Sequence, residues 1–587
     1  MGFTKPHQPD LDPERFLQQP FLERIRTLVL TWSEDGFGVA RMVHVLYIVK
    51  LVFFYAVLGI TVATVTSGLP AIWHVSGWWN QPIVYQKAIL WTILLEIIGV
   101  AGSWGPLAGK IKPMTGGYRF WARPSTIRLR PWKWVPFTAG SRRNWFDIVV
   151  YLALIVSVVV PLVLPGVHSD SLSAVLPANT SGLVNPVLFI PLMVLLVVIG
   201  LRDKTIFLAA RGEQYLPALF FFTVLPFVDM IIALKLLIVI VWVAAGFSKF
   251  GLHFSLVIPP MVANSPTLPF KAIKRAHYRH WPDDMRPSHL ASFMAHVPGT
   301  VVEIVAPLAL LFSPWPWLTY GAVAIMVCFH LFIISTFPLA VPVEWNVLFS
   351  YAAIFLFLGF PNSDGYAIWN MSSPWLTLAI AAALVFYPVL GNIRPDKVSF
   401  LPAMRQYAGN WATATWAFAP GAEAKLNRVT RSSRNTPDQL VDFGYEPMWA
   451  EIATQRILGW RAQHSQARGL FSVLVKNLPD IDSRTVREGE TLCNTIIGFN
   501  FGDGHLHDEE MIKAVQDEAQ FEPGELIIAW VESEAFGSGV QHYKLIDANL
   551  GVIQRGTWKV ADAVNEQPWL PNGPIPLNVT FTAGVAS

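Results

Sequence analysis

The apolar positions of this chain fall into blocks about 20 residues long, the length at which a helix crosses a hydrocarbon core. Ten such segments run near 39–65, 84–106, 145–165, 183–201, 205–225, 226–248, 297–313, 316–336, 341–360 and 374–391. Pro226 reads either as an outer turn between two crossings or as a kink in one long helix, so nine spans is the alternative. Ahead of the first block, Phe16, Leu17, Phe21, Ile25, Leu28 and Val29 recur at helical spacing, with Arg24 and Arg26 between them. That stretch, 13–32, reads as an amphipathic helix lying on the membrane surface, with packing against the protein itself as the equal alternative.

Beyond about residue 395 the pattern changes. Residues 447–476 and 507–519 read as helices, and 525–532, 541–548, 551–560 and 576–582 as strands. Asp547-Ala-Asn-Leu-Gly551 has hairpin chemistry, because Asn and Gly tolerate the positive φ of a tight turn. The expected fold is mainly α: a polytopic helical bundle over 39–394, an N-terminal segment 1–38, and an α+β domain over 395–587.

Composition agrees, with 14% charged residues, 53% hydrophobic residues and a mean hydropathy of +0.43. A soluble domain is usually about a quarter charged, so no soluble fold accounts for the first 390 or so residues. Nor does a secretory leader pattern open the chain. Charge then orients the segments. The linker 107–144 is rich in Lys and Arg, as is 249–296, whereas 66–83, 166–182 and 361–373 have none. The positive-inside rule places the basic linkers and both termini in the cytoplasm, for a multi-pass protein of the plasma (inner) membrane. Ten spans satisfy every loop; nine would set the basic linkers on opposite faces.

The region from 395 onward carries 16 Lys and Arg against 23 Asp and Glu, so its acids can dock on the basic linkers or receive a protein partner. Those linkers lack interleaved stacking aromatics, which argues against nucleic acid. Cys328 and Cys493 make neither a disulfide framework nor a metal cluster. There is no phosphate-binding glycine loop, no His-Glu-x-x-His motif and no nucleophile elbow.

Ionisable side chains within spans carry the candidate chemistry, since each costs about 2.5–3.5 kcal/mol at a helix centre. Arg211 and Glu213 lie in the fifth segment, Asp229 and Lys235 in the sixth. They either pair across those helices or line a polar substrate pocket. Lys249 ends the sixth segment as a snorkelling or a pocket residue, Glu303 lies four residues before Pro307, and His330 sits well inside the eighth segment. Asp503, His505, His507 and Asp508 fall within six residues of one another. A turn capping the next helix explains them better than a metal does, and no metal site is expected.

Gly246-Phe-Ser-Lys249, Glu303-Ile-Val-Ala-Pro307 and Phe329-His330 together resemble the core of the HTTM superfamily, which includes the vitamin K-dependent γ-carboxylase; the likeness covers about residues 226–360. That resemblance implies a lysine base acting on a reduced quinone, with Lys249 as base, His330 in or beside the pocket and Glu303 with them, and a quinone as the possible cofactor. The whole chain is also similar to an uncharacterised actinobacterial multi-pass membrane family, through Phe207-Leu-Ala-Ala-Arg-Gly-Glu-Gln-Tyr215 and Phe499-Asn-Phe-Gly-Asp-Gly-His-Leu-His507. Three functions are therefore weighed: an enzyme acting on a quinone or other lipid-soluble substrate, a binder or transporter of membrane lipids or isoprenoids without chemistry, and a scaffold or assembly factor.

Overall fold

The structure, a computed structural model, describes residue 3 and residues 6–100, 116–168, 181–336, 344–398, 409–499 and 508–583. Within the described residues, each of the ten apolar segments contains a helix. In chain order, after α1 (Phe21–Asp35), they form α2 (Arg41–Thr66), α3 (Pro82–Ile97), α4 (Trp145–Val163), α5 (Pro186–Arg202), α6 (Gly212–Val224), α7 (Phe227–Ser248), α8 (His289–Phe312), α9 (Pro316–Thr336), α10 (Trp345–Gly359) and α11 (Pro374–Ile393).

The expected count of ten crossings is not what helix length gives. Among the described residues six helices (α2, α4, α7, α8, α9 and α11) are long and apolar enough to cross a membrane. A seventh arises if α10 and the bent stretch after it count as one span. The fifth segment is short because it is broken: one helix, Lys204–Ala209, ends just before Arg211, and α6 begins just after it. At Pro226 the chain does turn, with α6 ending at Val224 and α7 starting at Phe227.

α7 is the axis of the bundle. Ile231, Ile232, Ala233 and Leu234 point to successive sides of the helix, and each is at most 1% exposed. On α2, by contrast, Val45, Leu46, Ile48 and Val49 are exposed, as a lipid-facing wall requires. Asn144 and Asp147 start α4 with a reciprocal capping box, at 3.1 and 3.0 Å. α2, α8 and α10 each contain a π-helical turn, at Lys50–Val57, Val301–Val305 and Phe355–Gly359.

The linker after α7 contributes a small hairpin, β1 (Tyr278–His280) with β2 (Asp284–Pro287). The C-terminal region forms one antiparallel sheet from β3 (Thr413–Phe418), β4 (Thr485–Glu488), β5 (Leu526–Val531), β6 (Val540–Asp547), β7 (Gly551–Lys559) and β8 (Asn578–Thr582), in the order β4-β3-β5-β6-β7-β8. The expected hairpin joins β6 to β7: Asp547 pairs with Gly551, and its carboxylate accepts from the Asn549 and Leu550 amides. The helical stretch 447–476 is two helices, α12 (Pro447–Ala462) and α13 (Ser465–Asn477). α14 (Gly489–Ile497) follows, then α15 (Glu509–Ala519), which Asp508 caps by accepting from the Glu510 and Met511 amides. Asp503, His505 and His507 lie outside the described residues.

The apolar stripe read as membrane-facing belongs to the protein's own core. Phe21, Ile25, Leu28 and Val29 of α1 are buried in one cluster with Ile452 and Leu458 of α12 and Phe471 of α13. Trp32 donates its indole hydrogen to the Pro260 carbonyl at 2.9 Å, so α1 also reaches the linker after α7. Helical periodicity shows that one face is apolar, not whether lipid or protein covers it.

The docking of acids on basic linkers is present. Lys204 meets Asp508 at 3.1 Å, Arg130 and Lys133 approach Glu510 at 3.6 and 3.5 Å, and Arg142 pairs with Glu518. Trp121 donates to the Ile497 carbonyl at 3.0 Å. His253, four residues beyond Lys249, lies 2.6 Å from Ser465 Oγ at the start of α13 and 3.0 Å from Glu534. Ser465 is 1% exposed, so this sealed joint ties the end of α7 to the soluble domain.

Candidate functional site

The charged residues singled out along the chain assemble in three places. The first is the end of α7. Lys249 forms an ion pair with Glu303, both side chains under one-tenth exposed. The rings of Phe254 and Phe329 stand 5.1 and 5.4 Å from the ammonium. Two sequence features create this contact. A Cβ on Gly246 would lie 2.7 Å from Ile304 Cγ1 and 3.0 Å from Glu303 Cβ, so only glycine lets α7 approach α8 this closely. Pro307 has no amide hydrogen to offer the Glu303 carbonyl four residues back, and Glu303 sits in the π turn that absorbs the mismatch.

His330 lies near Lys249 only through Phe329; its own hydrogen bonds go elsewhere. Trp242 can only donate, so His330 Nε2 accepts from the indole at 3.0 Å, which leaves the proton on Nδ1. Nδ1 donates it to Asn346 Oδ1 at 2.8 Å. His330 is 1% exposed and Asn346 fully buried, so the imidazole is held as a neutral cross-link between α7, α9 and α10.

The second place is the far end of α7. Asp229 accepts from the Ser372 amide and hydroxyl at 2.8 and 2.6 Å. Lys235 donates to the Phe360 and Tyr366 carbonyls and to Asn362 Oδ1, at 2.7–2.9 Å. Both side chains anchor the segment 360–372 to α7. They do not pair with Arg211 and Glu213, as the expected link between the fifth and sixth segments required.

Arg211 and Glu213 make the third place, and the motif Phe207–Tyr215 builds it. Arg211 has φ of +52°, a left-handed conformation that costs a non-glycine residue about 1–3 kcal/mol. It breaks the fifth segment and turns the guanidinium to Glu96 of α3, 3.3 Å away, with both side chains under 5% exposed. A Cβ on Gly212 would fall 2.3 Å from the Phe207 ring, and Gly200 faces that same ring, so Phe207 is slotted between two glycines. Beside it opens an apolar groove of about 960 Å³ between α5, α6 and α11, within the usual size of a ligand site. Val194, Phe220 and Ala379 form its lipid-side rim, and among its described lining residues Glu213 carries the only charge.

Behind Glu213 the charges continue inward. Glu96, Arg211, Glu213, Glu344, Tyr55 and Tyr215 lie within electrostatic reach of one another, and Lys50 of α2 forms an ion pair with Glu344. The Lys50 ammonium also stands 4.6 Å from the Tyr47 ring. Lys50, Glu96 and Glu344 were not singled out in the sequence. The rule that found Arg211 would have found them, because each is an ionisable residue within an apolar segment.

No curated protein and no solved structure is significantly similar to this chain. A family model matches residues 1–580, nearly the whole length, and its description agrees with the membrane helices. By that match the chain belongs to the family described as transmembrane protein of unknown function, DUF3556.

Proposed function

We propose that this membrane protein binds a lipid-soluble molecule in the groove between α5, α6 and α11. The groove is the observation that carries the reading: apolar walls, an exposed apolar rim, and Glu213 buried just behind the wall. An apolar tail with a hydroxyl, amide or ammonium head fits those walls, and an isoprenoid is one such tail. On the positive-inside rule the linkers after α3 and α7, and the soluble domain docked on them, lie on the cytoplasmic side of the plasma membrane. The groove then faces the acyl chains.

A base role for Lys249 on a quinone, the reading drawn from the HTTM likeness, ranks below this one. Glu303 already occupies the Lys249 ammonium, so a substrate would first have to displace that ion pair. His330, with both ring nitrogens engaged, has no nitrogen left for substrate.

The test is mass spectrometry of lipids retained by the full chain purified in native nanodiscs. A discrete lipid or isoprenoid should be enriched with wild type and lost with Ala383→Trp, which fills the groove from α11, or with Glu213→Gln. Equal lipid profiles for all three proteins would remove the groove as a binding site. An enriched species that survives both substitutions but changes with Lys249→Met would restore the base reading.

A further inference from the structure

The loop 131–140, which leads into α4, holds bulky apolar side chains away from the protein. Trp134 is 77% exposed and Phe137 is 92% exposed. Two guanidiniums build this display. Arg128, itself buried, donates to the Thr138, Ala139 and Gly140 carbonyls at 2.8–3.0 Å and to the Arg202 carbonyl at 3.1 Å. Arg202 in turn donates to the Phe137 carbonyl, and the Thr138 hydroxyl closes the turn onto the Val135 carbonyl at 2.8 Å. Phe137 has φ of +61°, a left-handed conformation that is an outlier for a bulky residue. A rigid, strained loop thus carries an aromatic tip that the protein does not cover.

The first turn of α4 shows what covers it. Phe146, Val149, Leu152, Val156 and Val160 are exposed in one stripe at helical spacing, the face that a membrane-crossing helix turns to lipid. Arg202 joins that stripe to the loop: its guanidinium stands 4.9 Å from the Phe146 ring while it bonds to the Phe137 carbonyl. The loop tip therefore lies level with the start of the lipid-facing wall. Its other side meets protein, where Arg130 and Lys133 approach Glu510 of α15. Trp132-Lys133-Trp134 does alternate aromatic with basic residues, against the expectation for this linker. The two indoles stack on each other, with centroids 5.9 Å apart, which occupies a face of each that a nucleobase would need.

We propose that the loop 131–140 is a wedge inserted into the cytoplasmic leaflet, with Trp134 and Phe137 at the boundary between headgroups and acyl chains. The partner is the lipid surface itself. An indole suits that boundary because one edge is polar and the rest apolar. Lys133, exposed beside it, extends its ammonium toward the phosphates. Trp132 also lines the groove, so the wedge stands where the groove meets the leaflet. That last connection rests on the groove reading above; insertion of the loop does not.

Hydroxyl-radical footprinting of the unaltered full chain, one copy per nanodisc, tests this without a variant. Phe443, 51% exposed on the soluble domain, is the water-facing reference for Phe137. Insertion predicts that Phe137 is oxidised severalfold more slowly than Phe443, although the protein covers it less. Equal or faster oxidation of Phe137 overturns the proposal. Lipids brominated near the top of the acyl chain then identify the cover, by quenching the share of tryptophan emission that wild type has and Trp134→Phe lacks. If that share escapes quenching, protein covers the loop and the wedge is lost. Ala383→Trp fills the groove and should leave both measurements unchanged, so failure of the groove and failure of the wedge are told apart.

Discussion

Two groups of buried charges sit inside the helices of this protein, and they are finished differently. At the end of α7, Lys249 and Glu303 neutralise each other, aromatic rings close over them, and His330 nearby has both nitrogens bonded. At the start of α6, a left-handed Arg211 points to Glu96, Glu213 lies behind the wall of an apolar groove, and two phenols have no hydrogen-bond partner among the described residues. The first set has the balance and closure of a structural lock. The second has the backbone strain and the adjoining space expected of a working site. Residue type alone did not separate them, since both combine a cation with a glutamate; backbone conformation and neighbouring space did.

The sharpest way to break that contrast is to unbalance the lock. Lys249→Met strands Glu303 in an apolar enclosure and should cost about 3–5 kcal/mol of stability, as loss of one partner of a buried pair does. Adding Glu303→Gln to the same chain should restore most of it. Thermal unfolding in nanodiscs measures both, and an inert Lys249→Met would end the lock interpretation.

Packing around the lock gives the next largest effect. Gly246→Leu should cost about 1–3 kcal/mol by forcing α7 and α8 apart. Gly321→Leu, at a position with nothing within 4 Å of a new Cβ, should be silent in the same assay.

The soluble domain offers a third case that sharpens the comparison. Arg461 bonds to both Glu488 and Glu490, at 2.8 and 2.6 Å, so one guanidinium serves two acids. Burial pushes the Glu490 carboxyl up to about 7. Because its folded value is raised, Glu490 contributes stability that is full below about 4.5 and fades as pH rises through about 7. His464 next to Arg461 is pushed down to about 3 by burial, and its contribution runs the other way, full above 6.5 and lost as pH falls toward 3. Glu490→Gln leaves the His464 slope intact. The difference between wild type and variant should therefore decline from about pH 4.5 to about pH 7, followed by amide hydrogen exchange in α14. A flat difference would show that Arg461 compensates both acids.

The smallest effect belongs to the imidazole cross-link. Trp242→Phe removes the donor to His330 Nε2 and should cost about 0.5–1.5 kcal/mol, with no change in lipid retention. A change in retention would extend the groove site to His330.

Much of this architecture was legible in the chain. Apolar blocks located the ten helices α2–α11 but not the short linker helices such as Ile258–Asn264, and turn chemistry located the β6–β7 hairpin. β3 was missed because Thr413–Phe418 is a central strand buried on both faces, which erases the alternation that reveals a half-buried strand. The break at Arg211 was missed because composition registers the cost of a charge but not a left-handed residue that turns it away from lipid. Glycines 212 and 246 carried their information in what their missing side chains would strike, and only three dimensions show that.

The burial of α1 against α12 has a consequence for how the protein is made. Some 400 residues separate the two helices. At a synthesis rate of about 5–20 residues per second, α1 waits roughly 20 to 80 s for the partner that covers it. During that interval the ribosome is inserting the bundle, and the nearest apolar medium for Phe21, Ile25 and Leu28 is the membrane itself. The stripe that ends as protein core therefore stays uncovered by α12 for that interval, and docking of α12 is the step that joins the two distant parts of the chain.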